Sequence, residues 1–426
     1  MNSKTKKNRI IEDIEYPFKK TWDIDQNYVE LTVSNVNSSI VNSIRRIIIS
    51  GVETIAIKTE PHNESQIEIF QNDSPLHNQF LSHRLGMIPF NISNVDEFDY
   101  NDYELILDEE SDSDFPKHIT SKNIKIRKIS TDNILSEKDT RKIIPQDSLS
   151  GGFHLISILK PKYYQRNMNV SGMDSLGLDK TKLKIYLKCK LSKGSGSENG
   201  KYNPTSVCCY YNVVDEQKAK EGFEAFIASE NKMIEENNLT KISRELLERK
   251  FNTSERDRYY HTDKFGEPNK FRFKVESIGP IPPLLIFYRG IRNLKYKITQ
   301  FKSNCINQNE NVIEFIPSKN LNNGYDILVN EEDDTLGNII QTFINDLFCN
   351  YTVEEKKLKY VGYVKVHPLK KQIILSIQPF TKTKVEDLVK EFIVPACTKI
   401  MNILNNISND LEDSGLLVKE MKKNVF

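Results

Sequence analysis

Arg45 and Arg46 stand side by side within the run from Ser43 to Ile57, and two guanidinium groups can hold a carboxylate or phosphate bidentately. Adjacent residues of a helix diverge by about 100°, so at most one of the two can flank an apolar helical stripe while the other projects away. A second group is His83-Arg84-Leu85-Gly86-Met87-Ile88-Pro89. His83 could shuttle a proton or bind a metal, yet no Cys, Asp or second His stands at ligand spacing, so the group is read as structural or interfacial. Gly86 suits a helix C-cap, and Pro89 the end of a turn or a sheet edge. Asp333-Asp334-Thr335-Leu336-Gly337-Asn338 resembles an acidic metal pair but reads better as helix capping, since carboxylates ahead of a helix N-terminus meet its orphan N–H groups. Gly337 in the first turn lowers helix propensity by about 1 kcal/mol, which suggests that another group approaches the backbone closely there. Cys208-Cys209 are adjacent and far from Cys189, which makes a zinc site of four ligands a poor fit. No phosphate-cradling glycine loop, nucleophile elbow or metalloprotease motif is present.

Composition narrows the classes further. Lys and Arg number 60 and Asp and Glu 59, leaving a formal charge of +1. That balance argues against a dedicated nucleic-acid coat, without excluding local patches. Hydrophobic residues make up 38% and charged residues 28%, so modest cores with long solvated loops are expected. No apolar run approaches the roughly 18 residues of a membrane span, and the basic start (Lys4, Lys6, Lys7, Arg9) has no apolar stretch after it, unlike a secretory signal. Six scattered cysteines make no disulfide framework. An intracellular, reduced setting is expected, with neither metal nor cofactor.

These groups need elements to position them. Tyr28–Val33 alternates as a half-buried strand. Asn35–Ser39 offers N-caps for a helix whose Ile40, Ile44, Ile47 and Ile48 share one face, with Gly51 as its expected C-cap. A short helix is expected over Leu76–Leu85. Asp108–Asp114 and Ser192–Gly200 read as loops, and Lys122–Ile129, Phe153–Leu159 and Lys182–Leu191 as strands. Glu216–Lys250 has helical character. Phe287, Ile291, Leu294, Ile298 and Phe301 form a helical stripe, and Asn304–Asn323 is a polar boundary. Beyond it, Asp326–Val329 is a strand. Leu336, Ile339, Ile340, Phe343, Ile344 and Leu347 make the clearest amphipathic helix of the chain. Leu358–Val366 and Gln372–Gln378 are strands joined through His367-Pro368, and a last helix carries Ile393, Cys397, Ile400, Leu404, Ile407 and Leu411. Two units thus share one grammar of strand, helix, strands, longer helix, and a large insert interrupts the first.

Several blocks resemble one family. Ser43–Ile57 (S-I-R-R-I-I-I-S-G-V-E-T-I-A-I) with Phe80–Pro89 (F-L-S-H-R-L-G-M-I-P) resembles the alpha-like assembly subunits of DNA-directed RNA polymerases, near the third-largest subunit of polymerase II and its archaeal counterpart. Lys201–Tyr211 looks like that family's insert-domain strand, and Phe271–Leu294 like its return to the dimerisation domain. Asp333–Ile340 (D-D-T-L-G-N-I-I) with Val361–Pro368 (V-G-Y-V-K-V-H-P) resembles the small partner, the eleventh subunit of polymerase II or the archaeal equivalent; Gly86, Pro89, Gly337, Asn338, His367 and Pro368 carry these motifs. The four-cysteine zinc loop that some members of the family carry in the insert has no counterpart in this sequence. Both partners in one chain look like polymerases of large nucleocytoplasmic DNA viruses, which would imply virion and host-cell cytoplasm.

The resemblance implies an α+β fold of two alpha-like dimerisation units, each an antiparallel sheet plus two helices, packed as a pseudo-heterodimer. The first would be residues 1–60 and 270–303, with a mostly β insert at 61–269, a linker at 304–324 and the second unit at 325–426. Ile40, Ile44, Ile47, Ile48, Ile291, Leu294 and Ile298 would pack against Leu336, Ile339, Ile340, Phe343, Ile344, Leu347, Ile400, Leu404 and Ile407. Arg45, Arg46, His83 and Arg84 would dock the second-largest catalytic subunit. The largest subunit would follow, with small subunits like the tenth and twelfth of polymerase II, and DNA would be met only through the complex. The rival readings are a hydrolase built on His118 or His154, disfavoured because the seven histidines show no paired ligand spacing, and a stand-alone nucleic-acid-binding or interaction scaffold.

Overall fold

The computed structural model describes residues 9–17, 27–111, 113, 115–147, 150–160, 182–236, 243–350 and 356–417. In chain order these form β1 (Ile11–Glu15), β2 (Tyr28–Ser34), α1 (Ser38–Gly51), β3 (Glu53–Ala56), β4 (Ile67–Asn72), α2 (Asn78–Gly86), β5 (Tyr103–Ser111), β6 (Lys117–Thr120), β7 (Lys125–Lys128), β8 (Asn133–Ile134), α3 (Glu137–Ile143), β9 (Leu155–Leu159), β10 (Leu183–Lys190), β11 (Ser192–Ser195) and β12 (Thr205–Asn212). Then follow α4 (Glu216–Glu236), α5 (Arg244–Ser254), β13 (Lys270–Ser277), α6 (Pro283–Asn307), β14 (Ile313–Pro317), β15 (Tyr325–Asn330), α7 (Asp334–Ile344), β16 (Leu358–Lys365), β17 (Gln372–Pro379), α8 (Val385–Leu388) and α9 (Val394–Asp413).

Among the described residues the strands pair antiparallel in the orders β1-β2-β13-β12, β4-β10-β5-β7-β8 and β14-β15-β17-β16, with the ribbons β11-β3 and β6-β9. The fold is thus α+β. Val29, Leu31 and Val33 of β2 and Phe271, Phe273 and Val275 of β13 alternate into one core, where the Phe273 ring meets Phe287 of α6 edge-on at 5.0 Å. Ile327, Val329, Ile373, Leu375 and Ile377 do the same beneath α7. Helix α1 is rich in β-branched isoleucine, which lowers intrinsic helicity. Its stability therefore comes from its buried face, at about 1.5–3 kcal/mol per large apolar side chain, and from Asn37, whose side chain accepts the Ser39 N–H.

Several sequence expectations need correction. Asp108–Ser111 are strand, not loop: β5 continues to Ser111 because the lysines of β10 neutralise its acids, Lys184 Nζ lying 2.8 Å from Asp108. Ser192–Ser195 likewise form a strand against β3. Lys201–Tyr211, read as part of the insert, contributes β12 to the sheet of β2 and β13, where the Tyr210 ring packs on Phe271 and Phe273. The polar 304–324 stretch is not all linker: α6 runs on to Asn307, and Ile313–Pro317 pairs with β15, with Ile313 buried and Phe315 half-buried. Gly51 and Gly86 are the last helical residues rather than left-handed caps.

The stripe ending at Leu347 is α-helical only to Ile344 and closes in a π turn, Asn345–Cys349, with Leu347 half-buried. A second π turn, Val389–Ile393, precedes α9. Pro395, at the start of that helix, has no N–H for the carbonyl one turn back, and a π turn absorbs such a gap.

Candidate assembly interface

Helix α1 packs against both α6 and α7, and α9 packs against the same two helices. Ile40, Ile44, Ile47 and Ile48 of α1 are buried. So are Ile291, Leu294 and Ile298 of α6, Leu336, Ile339, Ile340, Phe343 and Ile344 of α7, and Ile400, Leu404 and Ile407 of α9, all within one continuous apolar cluster. Gly290 lets α1 lie close against α6: an added Cβ there would lie 2.6 Å from Ile48 Cγ1. At Gly337 a Cβ would meet the Tyr363 ring of β16 at 2.5 Å, so another group does lie close to that backbone.

Polar contacts ring this apolar centre. Arg46 Nε donates to Thr335 Oγ1 at 2.8 Å, and its Nη2 lies 3.8 Å from Asp333. Lys297 Nζ donates to Glu332 at 2.8 Å and Lys295 Nζ to Ser408 Oγ at 2.7 Å. Tyr288 donates its hydroxyl proton to Glu412 at 2.7 Å, while Asp410 accepts the backbone N–H groups of Ile10 and Ile11 at 2.7 and 3.2 Å. Burial pushes the Glu332 carboxyl above its ordinary range, against the pull of Lys297. Burial would also raise Asp333, but Lys297, the Thr335 donors and Arg46 together hold it below the ordinary range. Asp333 is thus the helix N-cap, its side chain accepting from Thr335 N at 3.0 Å.

The two arginines of α1 part company. Arg46 turns to α7, whereas both donors of Arg45 reach Asn42 on its own helix at 3.1 and 3.0 Å. Thr335 is buried, so Arg46→Ala removes a charged donor from a buried hydroxyl. The expected cost is about 1 kcal/mol, a charge-assisted bond discounted for the half-exposed guanidinium. Arg45→Ala should stay within about 0.5 kcal/mol. Guanidinium chloride unfolding of both variants checks the order; Arg45 costing the more would reverse this assignment.

The other motif residues lie on α2, just after it, on α7 and in the β16–β17 turn. His83 and Arg84 are exposed on α2, with Arg84 Nη2 donating to the Leu155 carbonyl of β9 at 2.8 Å. Gly86 is buried, and a Cβ there would meet Thr59 Cγ2 at 2.8 Å. Pro89 is half-buried beside it and helps line a cavity of about 200 Å³ with Met87, Lys201, Pro204 and Ile278. Asn338 is half-buried on α7, and His367 and Pro368 are exposed in the β16–β17 turn, where His367 Nδ1 accepts from Leu369 N at 3.2 Å. Among the described residues no group of three His, Cys, Asp or Glu is placed to hold a metal, and no helix is long and apolar enough to cross a membrane.

Sequence reasoning missed the two arginines of Tyr288–Leu294. Arg289 is buried and donates to the Ser93 carbonyl at 2.6 Å, burial lowering its pKa. Arg292 reaches Asp96 at 2.9 Å. Together they tie α6 to the loop after α2. Their spacing of three on a helix, opposite an acidic loop, was the available signal.

Among the described residues, helix-backed antiparallel sheets are joined through α1, α6, α7 and α9, an α+β scaffold centred on helix packing. The family model described as the RNA polymerase Rpb3/Rpb11 dimerisation domain matches residues 30–298, and the chain belongs to that family. It is 27% identical over 303 residues to the DNA-directed RNA polymerase II subunit RPB3 of Schizosaccharomyces pombe, covering 68% of this chain and 91% of that protein. It is 27% identical over 319 residues to a conjugation stage-specific protein of Tetrahymena thermophila, covering 68% of this chain and 94% of that one. With the subunit RPAC1 of RNA polymerases I and III of Saccharomyces cerevisiae it shares 25% over 319 residues, covering 68% and 88%. The family match ends within α6; the unit from Tyr325 onward lies beyond it.

Proposed function

We propose that the chain is a non-catalytic assembly subunit of a multisubunit DNA-directed RNA polymerase, and that one polypeptide supplies both alpha-like partners. The observation that carries this reading is the packing of α1 and α6, from the family-matched part, on α7 and α9 from the part beyond it. Residues 325–417 repeat the elements of the first unit: antiparallel strands, an amphipathic helix and a longer one. Fusion makes the pairing intramolecular, at an effective concentration in the mM range for a short flexible connection. The platform then receives the second-largest subunit, with Arg45, His83 and Arg84 facing it. The largest subunit and small subunits like the tenth and twelfth of polymerase II follow, and nucleotide chemistry belongs to those chains.

The test is purification of the tagged chain with mass spectrometry of what accompanies it. The two largest polymerase subunits are expected. Arg45→Glu should leave folding intact and lower the yield of the second-largest subunit at least several-fold. An unchanged yield would remove Arg45 from the docking face, and the absence of both large subunits would overturn the reading.

A further inference from the structure

The charge of +1 for the whole chain hides a local imbalance. From Lys356 to Lys384 the sequence carries eight lysines (Lys356, Lys357, Lys359, Lys365, Lys370, Lys371, Lys382, Lys384) and no Asp or Glu. Glu354 and Glu355 precede this run and Glu386 follows it. It folds as the β16–β17 hairpin with its flanks. Among the described residues none of the eight is paired with a carboxylate, and all but Lys365 are exposed.

The register sorts them into two groups. Leu358 pairs with Pro379, which brings Lys356, Lys357 and Lys359 beside Phe380, Lys382 and Lys384. Lys365 pairs with Ile373, which puts Lys370 and Lys371 in the turn at the other end. A strand of eight residues separates the groups by about 26 Å. Between them the outward face holds Tyr360, Gly362, Val364, Ile374, Ser376 and Gln378, with no carboxylate from either strand. Two acids of the neighbouring segment come near: Asp326 of β15 accepts a hydrogen bond from Ser376 at 2.6 Å, and Glu331, just past β15, donates its backbone N–H to the Lys371 carbonyl at 2.7 Å without a side-chain contact to either turn lysine among the described residues.

Two aromatic rings stand at the first group. Tyr360 is 48% exposed and Phe380 46%, and Lys359 Nζ lies 5.5 Å from the centre of the Phe380 ring. Lysines on an edge strand also discourage edge-to-edge pairing, and β16 is an edge. That role does not cover the lysines of the turn and those beyond β17, nor the half-exposed rings. Rings open to stacking among unpaired cations are what single-stranded nucleic acid meets on its binding proteins: bases stack on the rings and phosphates follow the charges.

We propose that the outward face of the β16–β17 hairpin binds single-stranded nucleic acid without sequence preference. It does so through Tyr360 and Phe380 as stacking surfaces and the two lysine groups as phosphate contacts. This goes beyond the assembly role and does not depend on it. It also adds a direct nucleic-acid contact to a chain expected to meet DNA only through its partners.

The experiment is fluorescence anisotropy of the full chain with a labelled 20-nucleotide oligothymidine across a salt series. Binding should weaken steeply with salt, and Lys359→Glu with Lys382→Glu and Lys384→Glu should weaken it at least tenfold and flatten the salt slope by about 0.7 per lost phosphate contact. Tyr360→Ala with Phe380→Ala should weaken it about fivefold or more and leave the slope unchanged. A control triple on the insert, Lys122→Glu with Lys138→Glu and Lys220→Glu, should bind as the parent does. No binding at low salt, or equal loss in the control, overturns the proposal. Normal binding by the ring variant, with polyglutamate displacing the probe as well as unlabelled oligothymidine does, overturns it in favour of an acidic protein partner.

Discussion

Ile340→Asp combined with Ile344→Asp should strip α7 from its neighbours and unfold the second half of the chain. Both isoleucines are essentially without solvent exposure, on the face of α7 that lies within the shared apolar cluster. Each replacement loses the transfer free energy of a large aliphatic side chain and leaves a cavity, about 2–5 kcal/mol. Each also places a carboxylate where no cation is within the apolar set, and an unpaired buried charge costs about 3–5 kcal/mol more. The sum matches or exceeds the 5–15 kcal/mol by which a domain is stable. A melting midpoint at least about 10 °C lower is therefore expected by calorimetry. Val364→Asp, at a 55% exposed position of β16, is the control and should move it little. A double variant that melts with the parent would mean that α7 does not bind the halves together.

Gly290→Leu carries the second-largest expected effect, and its sign is diagnostic. In an unconstrained helix, replacing glycine by a better helix former stabilises by about 1 kcal/mol. Here the first added carbon already lies 2.6 Å from Ile48 Cγ1, close to the stiff stem of a β-branched side chain. Ile48 is fully buried and cannot swing into solvent. Helices α1 and α6 must separate or Ile48 must leave its rotamer, and overpacking of this kind costs about 1–3 kcal/mol or more. Chemical denaturation should show a loss of that size. Ile48→Ala in the same chain should recover part of it, so that the double variant is more stable than the two single losses add up to. A stabilised Gly290→Leu would show that the two helices do not meet there.

The elements with clean periodicity are legible in the sequence itself. The α1, α6, α7 and α9 stripes and the β2, β15, β16 and β17 strands rest on local spacing, and a buried face imposes that spacing directly. What escaped depends on partners distant in sequence. The acids of β5 read as loop because lysines that neutralise them lie about 75 residues away, at the start of β10, a separation no local window spans. The membership of β12 in the sheet of β2 and β13, and of β11 beside β3, is likewise a matter of long-range pairing. The faint alternation of Ile313 and Phe315 was masked by the asparagines around it.

For the candidate interface, helical geometry required Arg45 and Arg46 to diverge but could not say which meets α7. That choice depends on where Thr335 and Asp333 sit. Arg289 and Arg292 were visible only as part of a family-like block, because their partners, the Ser93 carbonyl and Asp96, come together with α6 only once the chain is folded.

The most direct test of the account places a protease recognition sequence at 308–310, in the exposed turn between α6 and β14, and cuts the purified protein there. If the two ends of the chain hold one another as alpha-like partners, both fragments will elute together at the size of the uncut chain without denaturant and separate only when it is added. Two fragments that elute apart, each folded, under native conditions would contradict it.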